Sequence, residues 1–169
     1  MPLVFFFFLL IFDVNAIAQQ CDPSQQISTL VDEFFINGDG TVTHLETGLT
    51  WMRCAVGQHW DGKSCIGEAK RFNWREAFRL EDKFNQEVLA GHKNWRVPKL
   101  PELATIVERQ CVKPRINIEL FPNTPSASFW TATHKKSDLT QAFALDFDAQ
   151  GLQALSQRAR AYVRLVSGR

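Results

Sequence analysis

The chain has 169 residues, 45% of them hydrophobic and 22% charged, with a formal net charge of +1. That length suits one ordinary domain with a buried core, and the balanced charge excludes a global electrostatic pull on nucleic acid or on a membrane surface. The charge is unevenly spread, because after Asp148 the chain carries Arg158, Arg160, Arg164 and Arg169 and no acid.

Residues 3–12 form an unbroken, Phe-rich apolar run. It is too short to cross a bilayer as a helix, which takes about 20 apolar residues. With Ala16-Ile17-Ala18 behind it as a small-x-small cleavage site, residues 1–18 read as a secretory signal peptide. No Lys or Arg precedes the run, so an uncleaved anchor is the rival reading. Cleavage after Ala18 leaves residues 19–169 as a single domain with no stable membrane span. Its location is then outside the cytoplasm: periplasmic, at the cell surface or secreted. Gln20 before Cys21 is not the small residue that lipid attachment needs.

All four cysteines, Cys21, Cys54, Cys65 and Cys111, follow the signal. An even count in an exported chain favours two disulfides, and sequence permits three pairings. Cys54 and Cys65 flank a short Gly-containing loop, which favours Cys54–Cys65 and leaves Cys21–Cys111. A zinc site is disfavoured, because the spacings are wide and no Cys-x-x-Cys occurs.

Residues 33–36 and 41–45 alternate weakly around Asn37-Gly38-Asp39-Gly40, which is hairpin-turn chemistry. Residues 49–53 read as a further strand, and 55–70 as a polar loop holding Trp60. Asn73 opens a helix, with Glu76 placed for a capping box. Trp74, Ala77, Phe78, Phe84 and Val88 share one face of it, and Gly91 is its expected stop. A second helix is predicted over 101–110, with Pro101 in its first position. Strands are predicted over 129–133, 142–147, 151–155 and 161–166. Two helices within a mostly antiparallel strand set make an α+β pattern.

Five stretches in order carry a resemblance: Asn37-Gly38-Asp39-Gly40-Thr41-Val42-Thr43; Thr47-Gly48-Leu49-Thr50-Trp51 with Cys54; Trp74-Arg75-Glu76-Ala77; Asn94-Trp95-Arg96-Val97-Pro98 with Glu102-Leu103; and Ile116-Asn117 through Phe121-Pro122-Asn123-Thr124-Pro125-Ser126, with Phe129-Trp130-Thr131 and Tyr162-Val163-Arg164-Leu165-Val166. The set resembles the family of the C-terminal domain of the Legionella collagen-like adhesin, over nearly the whole mature chain. The resemblance implies a C-type-lectin-like fold, two helices with a twisted antiparallel sheet and long loops. It also implies binding of sulfated polysaccharide and assembly into homo-oligomers. The chain has no Gly-x-y repeat.

The residues suggest no cofactor and no metal. Asn37-Gly38-Asp39-Gly40 lacks the Glu twelve positions from its start that a calcium loop needs; Gly48 stands there. His44, His59, His92 and His134 are scattered, and no nucleophile motif accompanies them. Trp51, Trp74, Trp95 and Trp130 read as core, and Trp60 as the exposed aromatic. The candidate ligand-binding residues are basic: Lys113 and Arg115, then Lys135 and Lys136 in a turn between strands, then Arg158 and Arg160. Arginine forks hold sulfate or carboxylate through paired hydrogen bonds. Arg158, Arg160 and Arg164 would face one side if a single strand carried all three, whereas Arg96 is a candidate for a buried structural residue that pairs with Glu102 or with a carbonyl. The function expected is a non-enzymatic binding or adhesion module for an anionic polysaccharide or an acidic protein surface. A structural subunit of a surface assembly and an unrecognised enzyme are the alternatives. Mass spectrometry of the exported protein should find an N-terminus at Gln19, and retention of residues 1–18 would refute the signal reading.

Overall fold

The structure, a computed structural model, describes residues 18–168. The predicted signal, apart from Ala18, lies outside them. Strands β1 (Gln20–Cys21), β2 (Phe34–Ile36), β3 (Thr41–His44), β4 (Thr50–Met52), β5 (His59–Trp60) and β6 (Cys65–Ile66) precede helices α1 (Trp74–Gln86) and α2 (Leu100–Ala104). Then come β7 (Cys111–Val112), β8 (Ser128–His134), β9 (Gln141–Asp146), β10 (Gly151–Ser156) and β11 (Val166–Ser167). This is the expected α+β class, with two α-helices, antiparallel sheets and two disulfides among the described residues.

One sheet has the order β11-β4-β3-β2 and another β10-β9-β8. The hairpin joining β2 and β3 turns at residues 37–40, as its composition predicts, and Gly38 and Gly40 take φ of 81° and 86°. Disulfides join Cys21 to Cys111 and Cys54 to Cys65. The first fastens the β1–β7 pair, in which the two cysteines face each other; the second ties Cys54, ahead of β5, to Cys65 at the start of β6. Two apolar clusters fill the interior. One gathers Trp51, Leu103, Ile106, Phe121, Phe129 and Phe147, and the other Ala77, Trp95, Trp130, Val163 and Leu165. The tryptophans enter the second cluster with their polar edges answered: the Trp130 indole N–H donates to the Phe72 carbonyl at 2.7 Å and that of Trp95 to Leu89 at 3.0 Å.

Arg164 is fully buried. Its Nη1 donates to the Met52 carbonyl at 2.8 Å and to the Arg53 carbonyl, and its Nη2 to Thr124 Oγ1 at 2.6 Å. The guanidinium lies over the Phe121 ring, 4.8 Å from its centroid. Burial pushes its pKa down to about 9, which still leaves it charged at neutral pH. Arg164 therefore cannot share an outer face with Arg158 and Arg160. The reason is that no single strand carries the three. Ala161 and Tyr162 make only isolated bridges, to Phe72 and Phe129, and regular pairing resumes at Val166.

Both helices are shorter than predicted. α1 stops at Gln86 because the Asn85 side chain turns to the Trp95 backbone, accepting from its N–H at 2.6 Å and donating to its carbonyl at 2.9 Å. Val88 and Ala90 then take left-handed φ of 50° and 51°, which ends the stripe before Val88. α2 ends at Ala104 and not at Gln110. Beyond it, Glu108 turns inward and its carboxylate accepts from the N–H groups of Ser28, Thr29 and Gln110. This clamp secures the N-terminal segment beside the Cys21–Cys111 disulfide.

Two stability effects follow. Arg164→Ala opens a cavity and orphans three acceptors, so it should cost on the order of 3–5 kcal/mol in urea unfolding. Arg164→Lys should not recover the loss, because an ammonium lacks the planar fork that reaches all three. Burial alone would raise the Glu108 carboxyl, but the N–H groups of Gln110, Ser28 and Thr29 and the Ser28 hydroxyl hold it below the ordinary range. A carboxyl depressed in the folded state contributes stability above its unfolded pKa and loses it as pH falls through the folded value. Unfolding midpoints should therefore drop on acidification below the ordinary glutamate range, and Glu108→Gln should flatten that limb.

Candidate functional site

The sequence-predicted basic residues fall into two groups at opposite ends of β9. Lys135 and Lys136 lie in the turn between β8 and β9, beside Gln141: the Lys135 N–H donates to the Gln141 carbonyl at 3.0 Å and its Nζ to Gln141 Oε1 at 3.3 Å. At the other end, Arg115 donates its backbone N–H to the carbonyl of Phe147. Six extended residues separate these ends by about 20 Å. Lys113, with left-handed φ of 58°, precedes Pro114 and stays with Arg115. Arg115 is half-buried and its carbonyl accepts from Glu108 N–H at 3.1 Å. Lys113 and Arg115 are thus separate from the other four.

Arg158 follows β10 in an exposed turn. Gln157 beside it ties three elements together. Its N–H donates to the Thr140 carbonyl at 2.9 Å, its side-chain amide to Leu139 at 2.9 Å, and its carbonyl accepts from the Trp74 N–H at 3.0 Å. The β8–β9 turn, the end of β10 and the start of α1 are held together in this way. Between them lies an open depression of about 750 Å³, lined by Asn73, Arg75, Thr140, Ser156 and Arg158, with Leu139 and Gln157 at its wall. Two exposed guanidiniums thus meet a set of hydroxyls and amides.

Arg160 lies just beyond. Its Nη2 donates to the Arg71 carbonyl at 2.8 Å and stands 4.0 Å from Glu76 Oε2. Arg71 packs its guanidinium over the Tyr162 ring, 4.9 Å from the centroid. Arg71 and Arg75 were not among the sequence candidates, because Arg75 reads there only as part of the helix start. The available signal was periodicity: Arg75 and Arg79, four apart and both exposed, stand off the Trp74–Ala77–Phe78 stripe.

A second recess of about 330 Å³ is largely apolar, walled by Met52, Val56, Trp60, Phe84, Leu89 and Ala90. Trp60 is half-buried, contrary to its expected exposure. Arg53 lies over its ring, 4.2 Å from the centroid, and Gly40 approaches so closely that a Cβ there would stand 2.8 Å from Trp60. Arg96, expected to pair with Glu102 or a carbonyl, meets both oxygens of Glu102 at 2.7 and 2.8 Å and also donates to the Gly168 carbonyl at 3.3 Å. Among the described residues no three His, Cys, Asp or Glu side chains are grouped to hold a metal ion, and no helix is long and apolar enough to cross a membrane.

The molecule is a disulfide-linked α+β domain with an arginine-lined surface depression and two cysteine pairs of the kind that persist in oxidising compartments. Residues 40–167 match the model of the Lcl C-terminal domain, and the chain belongs to that family, a domain of adhesin-type proteins. The match runs from the β2–β3 turn to β11 and so covers the sheet β10-β9-β8 and the strands β3, β4 and β11 of the other main sheet. No curated protein is significantly similar to the chain.

Proposed function

We propose that this chain is an exported, non-enzymatic binding module whose ligand is an anionic, sulfated polysaccharide held at the Arg75–Arg158 depression. The observation that supports this reading is the meeting of those two exposed arginines with Asn73, Thr140 and Ser156 in one open concavity. A sulfate ester offers acceptor oxygens to a guanidinium fork, and neighbouring hydroxyls and amides suit the sugar's own hydroxyls. Arg71 and Arg160 precede and follow elements that border the depression, and Lys135 and Lys136 belong to the β8–β9 turn that supplies Leu139 and Thr140, so further basic residues stand on the bordering segments, against Glu76 and Asp138. An open, solvated site of this kind fits a polymer that lies across it. Family membership in an adhesin-type domain supports the same direction.

Exposed charges are screened within about 8 Å at physiological salt, so single contacts are weak and affinity needs several together. The exported protein should be retained on immobilised heparin at low salt and released as salt rises. Arg75→Ala with Arg158→Ala should weaken binding roughly tenfold or more, as loss of two charge-assisted contacts does, without shifting the unfolding midpoint. Lys113→Ala with Arg115→Ala, at the far end of β9, should leave heparin retention unchanged. Failure to bind sulfated glycans at low salt, or equal binding by the Arg75/Arg158 variant, would refute the reading.

A further inference from the structure

We propose that the free edge of β10 pairs antiparallel with β10 of a second copy of this chain, joining two three-stranded sheets into one continuous sheet. β10 ends the sheet of order β10-β9-β8, and its only strand partner among the described residues is β9. The pairing with β9 runs through all six residues, from Gly151↔Asp146 to Ser156↔Gln141, with no register shift. A regular strand of this kind directs alternate backbone N–H and C=O groups away from its neighbour, and a row of such groups is a template for another strand.

Sheet edges in monomeric proteins are usually guarded by charge, proline, a bulge or brevity. The edge of the other main sheet, β2, has three residues and follows the exposed acids Asp32 and Glu33. β10 carries none of these guards within its own six residues, and the Arg115 guanidinium reaches only its first residue, with Nη1 3.5 Å from where a Cβ on Gly151 would stand. Gly151–Ser156 reads Gly-Leu-Gln-Ala-Leu-Ser, without a charge or a proline. Its outward row, Leu152, Ala154 and Ser156, is exposed, and Leu152 is 54% accessible.

The charges at the two ends specify the partner and its direction. Asp148 lies just before the strand, and Arg158, exposed, just after it. Antiparallel pairing centred between Gln153 and Ala154 sets Gly151 opposite Ser156 of the other copy. Asp148 of each copy then lies beside Arg158 of the other, and the two-fold axis makes this contact twice. Parallel pairing would bring like charges together at both ends. The strand is therefore self-complementary in one orientation. This inference does not rest on glycan binding, and its readout needs no ligand.

Sedimentation velocity of the exported protein over a wide micromolar range, at low salt, tests it. A monomer–dimer equilibrium is expected. Leu152→Lys and, as a second probe of the same row, Ala154→Lys should each raise the dissociation constant at least roughly tenfold, with near-ultraviolet circular dichroism unchanged. Leu45→Lys, at an exposed apolar residue elsewhere, should have no effect. Asp148→Arg and Arg158→Asp should each weaken the dimer, and the two together should restore it. A monomer at every concentration, an assembly of any size indifferent to the Leu152 and Ala154 variants, or no recovery in the double charge reversal would overturn the proposal.

Discussion

The buried guanidinium of Arg164 is the contact on which the rest of the fold depends. A charge in the interior is tolerated only when its donors find acceptors. Here the acceptors come from two separate parts of the chain: the carbonyls of Met52 and Arg53 at the end of β4, and the hydroxyl of Thr124 in the segment before β8. Its other neighbours are the faces of Phe121 and Phe129, which offer a negative quadrupole to a cation. One side chain near the C-terminus thus fastens the first sheet to the second. It also explains why residues 161–165 leave regular strand geometry. The segment must run between the sheets, bridging Phe72 and Phe129 in passing, so that Arg164 can reach inward.

The surface depression depends on that course. After β10 the chain turns at residues 156–159 and passes beneath the start of α1 on its way to the interior. Gln157 records the crossing, since its three hydrogen bonds go to Thr140, Leu139 and Trp74. Arg158 is left at the rim because its neighbours on either side are committed, Gln157 to the β8–β9 turn and Ala159 to the second apolar cluster. The position of Arg75 follows from the capping box of α1. Asn73 accepts from the Glu76 N–H at 2.9 Å and Glu76 returns a carboxylate to the Asn73 N–H at 2.8 Å. That locks the first turn and directs Arg75 outward. The two arginines are placed by the fold's own constraints, with no contact between them required.

Much of the fold was legible in the sequence because its signals are local. The β2–β3 turn, the cap at Asn73, the strands β8 to β10 and the Arg96–Glu102 pair each depend on residues close together in the chain. What was not legible depends on distant partners. Nothing near Asn85 announces that it will bind the backbone of Trp95 and end α1 early. Nothing near Glu108 announces that it will leave helical geometry to clamp Ser28 and Thr29. The parity of Arg158, Arg160 and Arg164 suggested one basic face, yet parity has meaning only within a continuous strand. The basic cluster was half legible for the same reason: Arg158 and the lysine pair are found by charge and turn pattern, but the packing of α1 against the end of β10 brings in Arg75.

The arginines of this chain divide by the number of acceptors each one meets, and that division separates structure from surface chemistry. Arg164 is held by three protein acceptors. Arg53 gives Nε to Leu120 and Nη2 to Glu119, and Arg96 engages both oxygens of Glu102 and the Gly168 carbonyl. In each case hydrogen bonds to the protein fix the guanidinium, although the Arg164 Nε finds no partner among the described residues, and a ligand could take hold only by displacing those contacts. Arg160 uses part of its fork on the Arg71 carbonyl. Arg75 and Arg158 are exposed and make no side-chain hydrogen bond to the described residues beside a concavity of hydroxyls and amides. An exposed fork on a fixed backbone keeps its donors available, and a ligand's acceptors must replace the water that it gives up. Arg75 and Arg158 are thus among the arginines that the fold's own hydrogen bonds do not use, and they stand where α1, the β8–β9 turn and the end of β10 meet.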